Sequence, residues 1–192
     1  MRIIAGTFRS RPLQAPPGLA TRPTTDRLRE TLFNVLAPRI HGAAFLDLYA
    51  GSGAVGLEAL SRGAAHVTFI ERAPAALKVL RANLSALAIT TGFKIHETSV
   101  VPFLRKPPAT PFDLIFLDPP WDAAEEYAST LDLLGDGASR YLAPEAVVIA
   151  EHRRKQTLSP SYGNLHRYRL LEQGDAALSF YQATEPAETS EN

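Results

Sequence analysis

Cysteine is absent from the 192 residues of this chain, and tryptophan occurs only once. Without cysteine the protein has neither disulfides nor thiolate metal ligands. Its five histidines lie far apart without the spacing of a metal site, so no metal is predicted. No apolar run approaches the roughly 20 residues that cross a bilayer, and the N-terminus lacks the long uncharged core of a signal peptide. The sequence therefore predicts a cytoplasmic protein without a membrane partner.

The formal net charge is zero, but the charged residues are unevenly distributed along the chain. Residues 1–39 contain seven arginines and no lysine against two acidic residues. Guanidinium groups bind phosphate in a bidentate way and stack on bases, which favours a nucleic-acid partner; a solvated arginine-rich surface explains the excess equally well. The last nine residues, TEPAETSEN, are predicted to be a disordered acidic tail. We therefore divide the chain into an arginine-rich extension (1–39), a main domain (40–183) and the tail (184–192).

Apolar strands and amphipathic helices alternate from residue 44 onwards. The predicted strands are AFLDLYA, HVTFIE, FKIHE, FDLIFLD and EAVVIAEH. Such alternation predicts a mostly parallel sheet with helices on both faces. Two later strands, HRYRLL and AALSFYQA, are too close in sequence for a crossover helix, so they form an antiparallel edge hairpin. The fold class is thus α/β, Rossmann-like, with seven strands. In the extension, RIIAG and TFRSRPLQAP predict a hairpin, and RPTTDRLRETLFNVLAPR predicts a helix.

A glycine-rich turn joins the first strand to the helix after it. Gly51, Gly53 and Gly56 have G-x-G-x-x-G spacing, which lets a ligand approach the backbone. Glu71 ends the second strand, where a carboxylate can accept hydrogen bonds from both hydroxyls of a ribose. NAD and S-adenosylmethionine (AdoMet) both fit these features. Asp47, beneath the loop, favours AdoMet, because a carboxylate holds the methionine ammonium but repels a pyrophosphate.

The fourth strand runs into Asp118, Pro119, Pro120 and Trp121, at the sheet edge where open α/β sheets bind ligands. The two prolines make the turn rigid. The Asp118 carboxylate and the Pro119 carbonyl can each accept one N–H of an exocyclic amine, which orients its nitrogen for attack on a methyl group. Trp121 can stack on a flipped base. These four residues are the predicted catalytic group.

Five motifs, from RIIAG at the start to FLDPPW in the fourth strand, carry a resemblance to a known family. The others are RPTTDRLRETLFN, LDLYAGSGAVGLEALSRGA and IER. With them the chain resembles, from Arg2 to Gln182, the RsmD family of bacterial 16S rRNA guanine-N2-methyltransferases. The resemblance implies methylation of guanine 966 by a class I AdoMet-dependent enzyme acting on the 30S subunit or a late assembly intermediate. From the size of the chain and the lack of an exposed apolar stripe, we expect a monomer.

The resemblance also implies site residues. The cofactor-binding residues are Asp47, Tyr49, Gly51, Ser52, Gly53, Glu71, Arg72 and Asp118. The residues that engage RNA are Arg22, Thr24, Arg27 and Arg29. Three alternatives stay open at this point: an adenine-N6 methyltransferase on DNA or RNA, an NAD-dependent oxidoreductase, and a non-catalytic AdoMet-binding assembly factor. The segment EHRRK, residues 151–155, is interpreted as a solvated strand end in preference to a second phosphate-binding patch.

Overall fold

The computed structural model describes residues 1–15, 25–121, 123–137 and 139–184. Its helices are α1 (Asp26–Leu36), α2 (Ala54–Ser61), α3 (Pro74–Ala86), α4 (Val100–Leu104) and α5 (Ala124–Gly135). Its strands are β1 (Ala44–Asp47), β2 (His66–Glu71), β3 (Phe93–Glu97), β4 (Phe112–Leu117), β5 (Leu142–Arg153), β6 (Ser161–Tyr162), β7 (Leu165–Gln173) and β8 (Ala176–Ala183).

The strands form one sheet in the order β3-β2-β1-β4-β5-β8-β7-β6. The first five are parallel, whereas β8, β7 and β6 pair antiparallel at one edge. This arrangement confirms the predicted Rossmann-like class with its antiparallel edge. The described sheet has eight strands instead of seven, because the two-residue β6 adds to the edge beside β7.

Two apolar cores cover the two faces of the sheet. On one face, α1, α2 and α3 pack with Phe45, Phe69, Phe116 and Ile149. On the other face, α4 and α5 pack with residues of opposite parity along the same strands, such as Leu46 and Val148. Side chains alternate between faces along a strand, so the parity of a residue number tells on which side it lies. We call the first face the α1 face.

The N-terminal extension packs onto the α1 face through a buried ionic network. The Glu58 carboxylate on α2 accepts hydrogen bonds from the backbone N–H groups of Ile4 and Ala5, at 2.8 and 3.0 Å, and from Arg62 Nε at 2.7 Å. Arg29 Nε of α1 lies 3.7 Å from the same carboxylate. Burying Glu58 is therefore offset by several donors, and the extension shares the core of the main domain.

The hairpin predicted near the N-terminus is reduced to a single antiparallel bridge between Arg2 and Pro12. Gly6, with φ of +83°, lies so close to α2 that a Cβ there would be 1.8 Å from the Ser61 carbonyl oxygen. Contact with α2 therefore shapes the turn around Gly6. The two predicted segments remain paired, because Ile3 N donates to the Arg11 carbonyl and Leu13 N to the Met1 carbonyl, both at 3.0 Å. The predicted helix is present, with the Thr25 side chain as its N-cap, accepting from Leu28 N at 3.2 Å. The tail beyond residue 184 lies outside the described residues.

Within the described ranges, no helix is long and apolar enough to span a membrane.

Candidate active site

Four carboxylates line the carboxyl edge of the sheet on adjacent strands. Glu71 ends β2, Asp47 ends β1, Asp118 follows β4, and Glu151 lies near the end of β5. All four have the parity of Phe45, Phe69, Phe116 and Ile149, so their side chains lie on the α1 face. Leu117 pairs with Ala150, which places Asp118 and Glu151 at the same level. The fold thus collects negative charge where open α/β sheets bind ligands.

Burial and the charges of neighbouring carboxylates make Asp47 and Asp118 costly to ionise. Burial raises the pKa of Asp47 from 3.8 to about 7, and the negative charge of Glu71 adds to the effect. Burial also raises the pKa of Asp118 well above 3.8, with further contributions from the charges of Glu151 and Asp47. A cationic ligand would relieve both effects, because it compensates charge that water cannot reach. The row is therefore suited to a positively charged cofactor.

The glycine loop has room for such a ligand at one position. A Cβ added to Gly51, whose φ is +54°, would meet no atom within 4 Å. By contrast, a Cβ at Gly53 would lie 2.3 Å from Leu80 Cδ1, and one at Gly56 would lie 2.3 Å from Phe69 Cε1. Packing against α3 and β2 thus explains Gly53 and Gly56. The open space above Gly51, together with the Asp47 carboxylate below the loop, fits the amino-acid part of AdoMet.

The Glu71 carboxylate is held in place by three backbone N–H groups. Its Oε2 accepts from Gly51 N at 2.8 Å, and its Oε1 accepts from Arg72 N and Ala73 N at 2.8 and 2.7 Å. A carboxylate has about four acceptor positions, so about one remains, on Oε2. One ribose hydroxyl fits that position directly. Accepting a second hydroxyl would require release of the Gly51 N–H.

Three further residues predicted to bind cofactor lie near the loop, and each has a partner within the protein. The Tyr49 hydroxyl is 3.0 Å from Thr130 Oγ1 on α5, across the sheet from the α1 face, so the phenol does not reach the loop. Its backbone N–H interacts with the Asp47 carboxylate. The Ser52 carbonyl accepts from Asn83 Nδ2 at 2.9 Å. The exposed Arg72 guanidinium is 3.7 Å from Glu126 Oε1. Tyr49 therefore stays a predicted cofactor-binding residue through its backbone.

The turn after β4 borders a cavity of about 220 Å³. Pro120 closes the turn, because its carbonyl accepts from Ala123 N at 2.8 Å. Trp121 is half-buried, and the guanidinium carbon of Arg153 lies 4.8 Å from the centroid of its ring. The walls of the cavity are Trp121, Glu151, the start of α1 (Thr25, Arg27 and Leu28) and the β7–β8 turn (Gln173 to Ala176). We call this space the Trp121 cavity. Its small volume suits a single planar group.

The residues predicted to engage RNA differ in their exposure. Arg27 is exposed and lines the Trp121 cavity. Arg29 is fully buried and pairs with Asp26 and Glu58, so the prediction that it contacts RNA is wrong. Arg29 is just over half a turn from Arg27, on the helix face that carries Leu32, Phe33 and Leu36. That spacing is the signal that could have indicated its burial. Arg22 and Thr24 lie outside the described residues.

Sequence reasoning also missed Glu151. The segment EHRRK looks like a solvated strand end, but Glu151 and His152 are each 2% exposed, whereas Arg153, Arg154 and Lys155 are exposed. His152 Nε2 is 2.9 Å from Ser179 Oγ on β8. The signal that could have found Glu151 is its alternation with Val147 and Ile149, which continues the buried face of β5 to the ligand edge. In the part of the chain described here, no three acidic or histidine side chains form a metal-binding group.

The fold and this edge of the sheet define the class of the protein as an AdoMet-dependent methyltransferase. The family described as Conserved hypothetical protein 95 matches residues 1–182, and the chain belongs to this family, the RsmD family. The resemblance predicted from the motifs is thereby confirmed.

Individual relatives agree with this assignment. Ribosomal RNA small subunit methyltransferase D of Escherichia coli (strain K12) is 41% identical over 95% of this chain and 89% of its own length. The protein of the same name from Haemophilus influenzae is 40% identical over 82% and 81%. The solved structure of the Escherichia coli protein yhhF superposes with a TM-score of 0.84 at 39% identity, covering 95% of this chain and 97% of that one.

Proposed function

We propose that this protein transfers a methyl group from AdoMet to the exocyclic N2 amine of a guanine in 16S rRNA, at position 966. The observation that carries the proposal is the half-buried Asp118 beside a cavity walled by Trp121, next to a loop suited to AdoMet. Its relatives named ribosomal RNA small subunit methyltransferase D supply the class of substrate. The exact nucleotide rests on the family resemblance.

In this proposal the catalytic residues act mainly by positioning. AdoMet supplies an electrophilic methyl carbon. The target base stacks on Trp121, and the Pro119 carbonyl and Asp118 carboxylate each accept one N–H of the amine, which aims the nitrogen lone pair at that carbon. Pro120 keeps the turn rigid. Transfer would form the carbon–nitrogen bond and break the carbon–sulfur bond of the sulfonium, which would leave as a neutral thioether. The alkylated amine would then lose one proton, and Asp118 is the carboxylate placed to accept it.

The cofactor-binding roles follow from the same arrangement. Asp47 binds the methionine ammonium, and Glu71 binds the ribose. The backbone of Gly51, Ser52 and Gly53 surrounds the amino-acid part, while Tyr49 contributes its N–H to Asp47. Arg72 extends the edge of this site from the end of β2.

The arginine-rich extension, residues 1–39, forms the RNA-binding part of the proposal, and residues 40–183 form the methyltransferase domain. Arg27 binds phosphate at the mouth of the Trp121 cavity, and Arg22 and Thr24, which lie outside the described residues, are the other proposed RNA contacts. The substrate is the 30S subunit or a late assembly intermediate in the cytoplasm, and the enzyme acts as a monomer.

The first experiment is transfer of labelled methyl from AdoMet to 30S subunits that lack this modification, followed by nucleoside analysis. We expect labelled N2-methylguanosine at a single position. Labelled N6-methyladenosine would keep the chemistry and overturn the base assignment. Absence of label in 30S subunits and naked RNA, in the presence of AdoMet binding, would overturn the proposed function and favour an AdoMet-binding assembly factor.

Charge reversal at Arg27 is expected to weaken binding to 30S subunits without weakening AdoMet binding. An exposed phosphate contact contributes about one unit to the slope of log affinity against log salt, so Arg27→Glu should reduce that slope by about one. Binding measured at several salt concentrations, beside calorimetry with AdoMet, tests this. The control is Arg105→Glu at the end of α4, on the opposite face of the sheet. Equal losses of RNA and AdoMet affinity would show that Arg27 acts through the fold.

A further inference from the structure

Glu151 is a buried acidic residue in the wall of the Trp121 cavity, and the proposed mechanism gives it no role. It is 2% exposed and lines the cavity with Trp121. It lies level with Asp118 on the adjacent strand and on the same face of the sheet. Its backbone carbonyl accepts a hydrogen bond from the Tyr127 hydroxyl at 2.9 Å, which anchors the end of β5. A base stacked on Trp121 with its amine at Asp118 would therefore present the neighbouring ring position to Glu151.

Guanine and adenine differ at that ring position. In guanine, N1 is a ring nitrogen beside the 2-amino group; it carries a hydrogen and is a donor. In adenine, the nitrogen beside the 6-amino group, also N1, is an acceptor. A carboxylate accepts a charge-assisted hydrogen bond from the N1–H of guanine. Against the N1 of adenine, its lone pairs meet another lone pair. When a base fills the cavity, such a mismatch sets two acceptors against each other, which binding discriminates against.

We propose that Glu151 is the residue that selects guanine, by accepting the N1–H of the target base while Asp118 holds its N2 amine. This inference rests on the proposed function. The strand register places Asp118 and Glu151 at the same level of adjacent strands, and the charge of Glu151 contributes to the raised pKa of Asp118. Two carboxylates on adjacent strands then have separate tasks: Asp118 positions the nucleophile, and Glu151 identifies the base that carries it.

The test compares guanosine with 2-aminopurine at the target position of 30S subunits reconstituted with synthetic RNA. 2-Aminopurine keeps the amine that is methylated but has a lone pair in place of N1–H. We expect wild-type kcat/KM to be about 10- to 100-fold higher for guanosine, the range for a buried hydrogen bond to a charged group. Glu151→Gln should lower the guanosine value and narrow the ratio to a few-fold, because its neutral amide can donate to the lone pair. The control Glu172→Gln, exposed on β7, should keep the wild-type ratio.

The outcomes separate this inference from the proposed function. Wild-type enzyme that fails to methylate guanosine subunits would count against the proposed function. Wild-type enzyme that methylates guanosine and 2-aminopurine equally well would overturn the role of N1–H, even if Glu151→Gln does not fold. A folded Glu151→Gln variant that binds AdoMet and keeps the wild-type ratio would show that the carboxylate has only a structural role.

Discussion

Replacing Asp118 with alanine is expected to lower the rate of methyl transfer by about 10²- to 10⁴-fold, the range seen when a positioned acid–base group is removed. The variant loses the acceptor that orients the amine and receives its proton. AdoMet affinity should change far less than the rate, because Asp47 and Glu71 provide the main cofactor contacts. Single-turnover transfer to 30S subunits at saturating AdoMet gives the rate, and calorimetry gives the affinity.

Asp113 provides a matched control on the same strand. It lies at the opposite end of β4, is exposed, and accepts from Ala44 N at 2.8 Å. Asp113→Ala removes a carboxylate from the same strand without touching the ligand edge, so transfer should stay close to wild type. Comparable decreases in the transfer rate of both variants would show that the cause is a disturbed β4. An unchanged rate in Asp118→Ala would refute the positioning role.

The same carboxylate predicts the pH dependence of transfer. Burial and the charges of Glu151 and Asp47 raise the pKa of Asp118 well above 3.8. Only the ionised form has both oxygens free to accept, so activity should fall as pH drops through that raised pKa and recover above it. Rates measured at saturating AdoMet across this range should show the acid limb in wild type. A limb with its midpoint near 3.8 would contradict the raised pKa.

The elements of the sheet could be predicted from the sequence because their signals are local. The strand HVTFIE and the strand FKIHE coincide with β2 and β3, where alternation and flanking turns determine the bounds. The glycine loop and the Asp118 turn were also found, since glycine and proline restrict the backbone wherever they occur.

The burial of two charged side chains was missed. Arg29 and Arg27 are two residues apart, yet one is fully buried against Glu58 and the other lines a cavity. Glu151 was assigned to a solvated strand end because three cationic residues follow it closely. In each case the spacing along the helix or strand indicates a buried face. The residues that pack around that face come from distant parts of the chain, and a single sequence does not identify them. The site depends on exactly these long-range contacts, which is why its cavity emerged only from the structure.

Replacing Asp47 with asparagine is expected to raise the stability of the ligand-free protein and to lower its affinity for AdoMet. Asp47→Asn is isosteric, and its side-chain oxygen can keep the bond from Gly56 N, now 3.1 Å. The substitution removes the charge that binds the methionine ammonium, so AdoMet affinity should fall by about 10- to 100-fold. It also removes a carboxylate that is costly to ionise in the folded protein, so the ligand-free variant should be more stable than wild type at neutral pH.

The sign and the pH window of this stabilisation follow from the pKa. The folded protein holds the Asp47 proton more tightly than the unfolded chain does, with a pKa of about 7 against 3.8. Wild type therefore loses stability as pH rises from about 4 to 7, and the loss is complete above 7. At about 1.4 kcal/mol per pKa unit, the gain from Asp47→Asn is roughly 4 kcal/mol at most.

Thermal unfolding of ligand-free wild type and Asp47→Asn from pH 4 to pH 8 measures this difference. The gap in Tm should be small at pH 4, widen through pH 7 and then stay constant, while added AdoMet should raise the Tm of wild type far more than that of the variant. Asp113→Asn, which changes an exposed carboxylate, should show no such widening. A constant gap across the whole range would mean that Asp47 is not the group that titrates. A widening gap in Tm together with undiminished AdoMet binding would show that the cofactor ammonium is held elsewhere. In that case the Asp47 charge destabilises the ligand-free protein without contributing to cofactor binding.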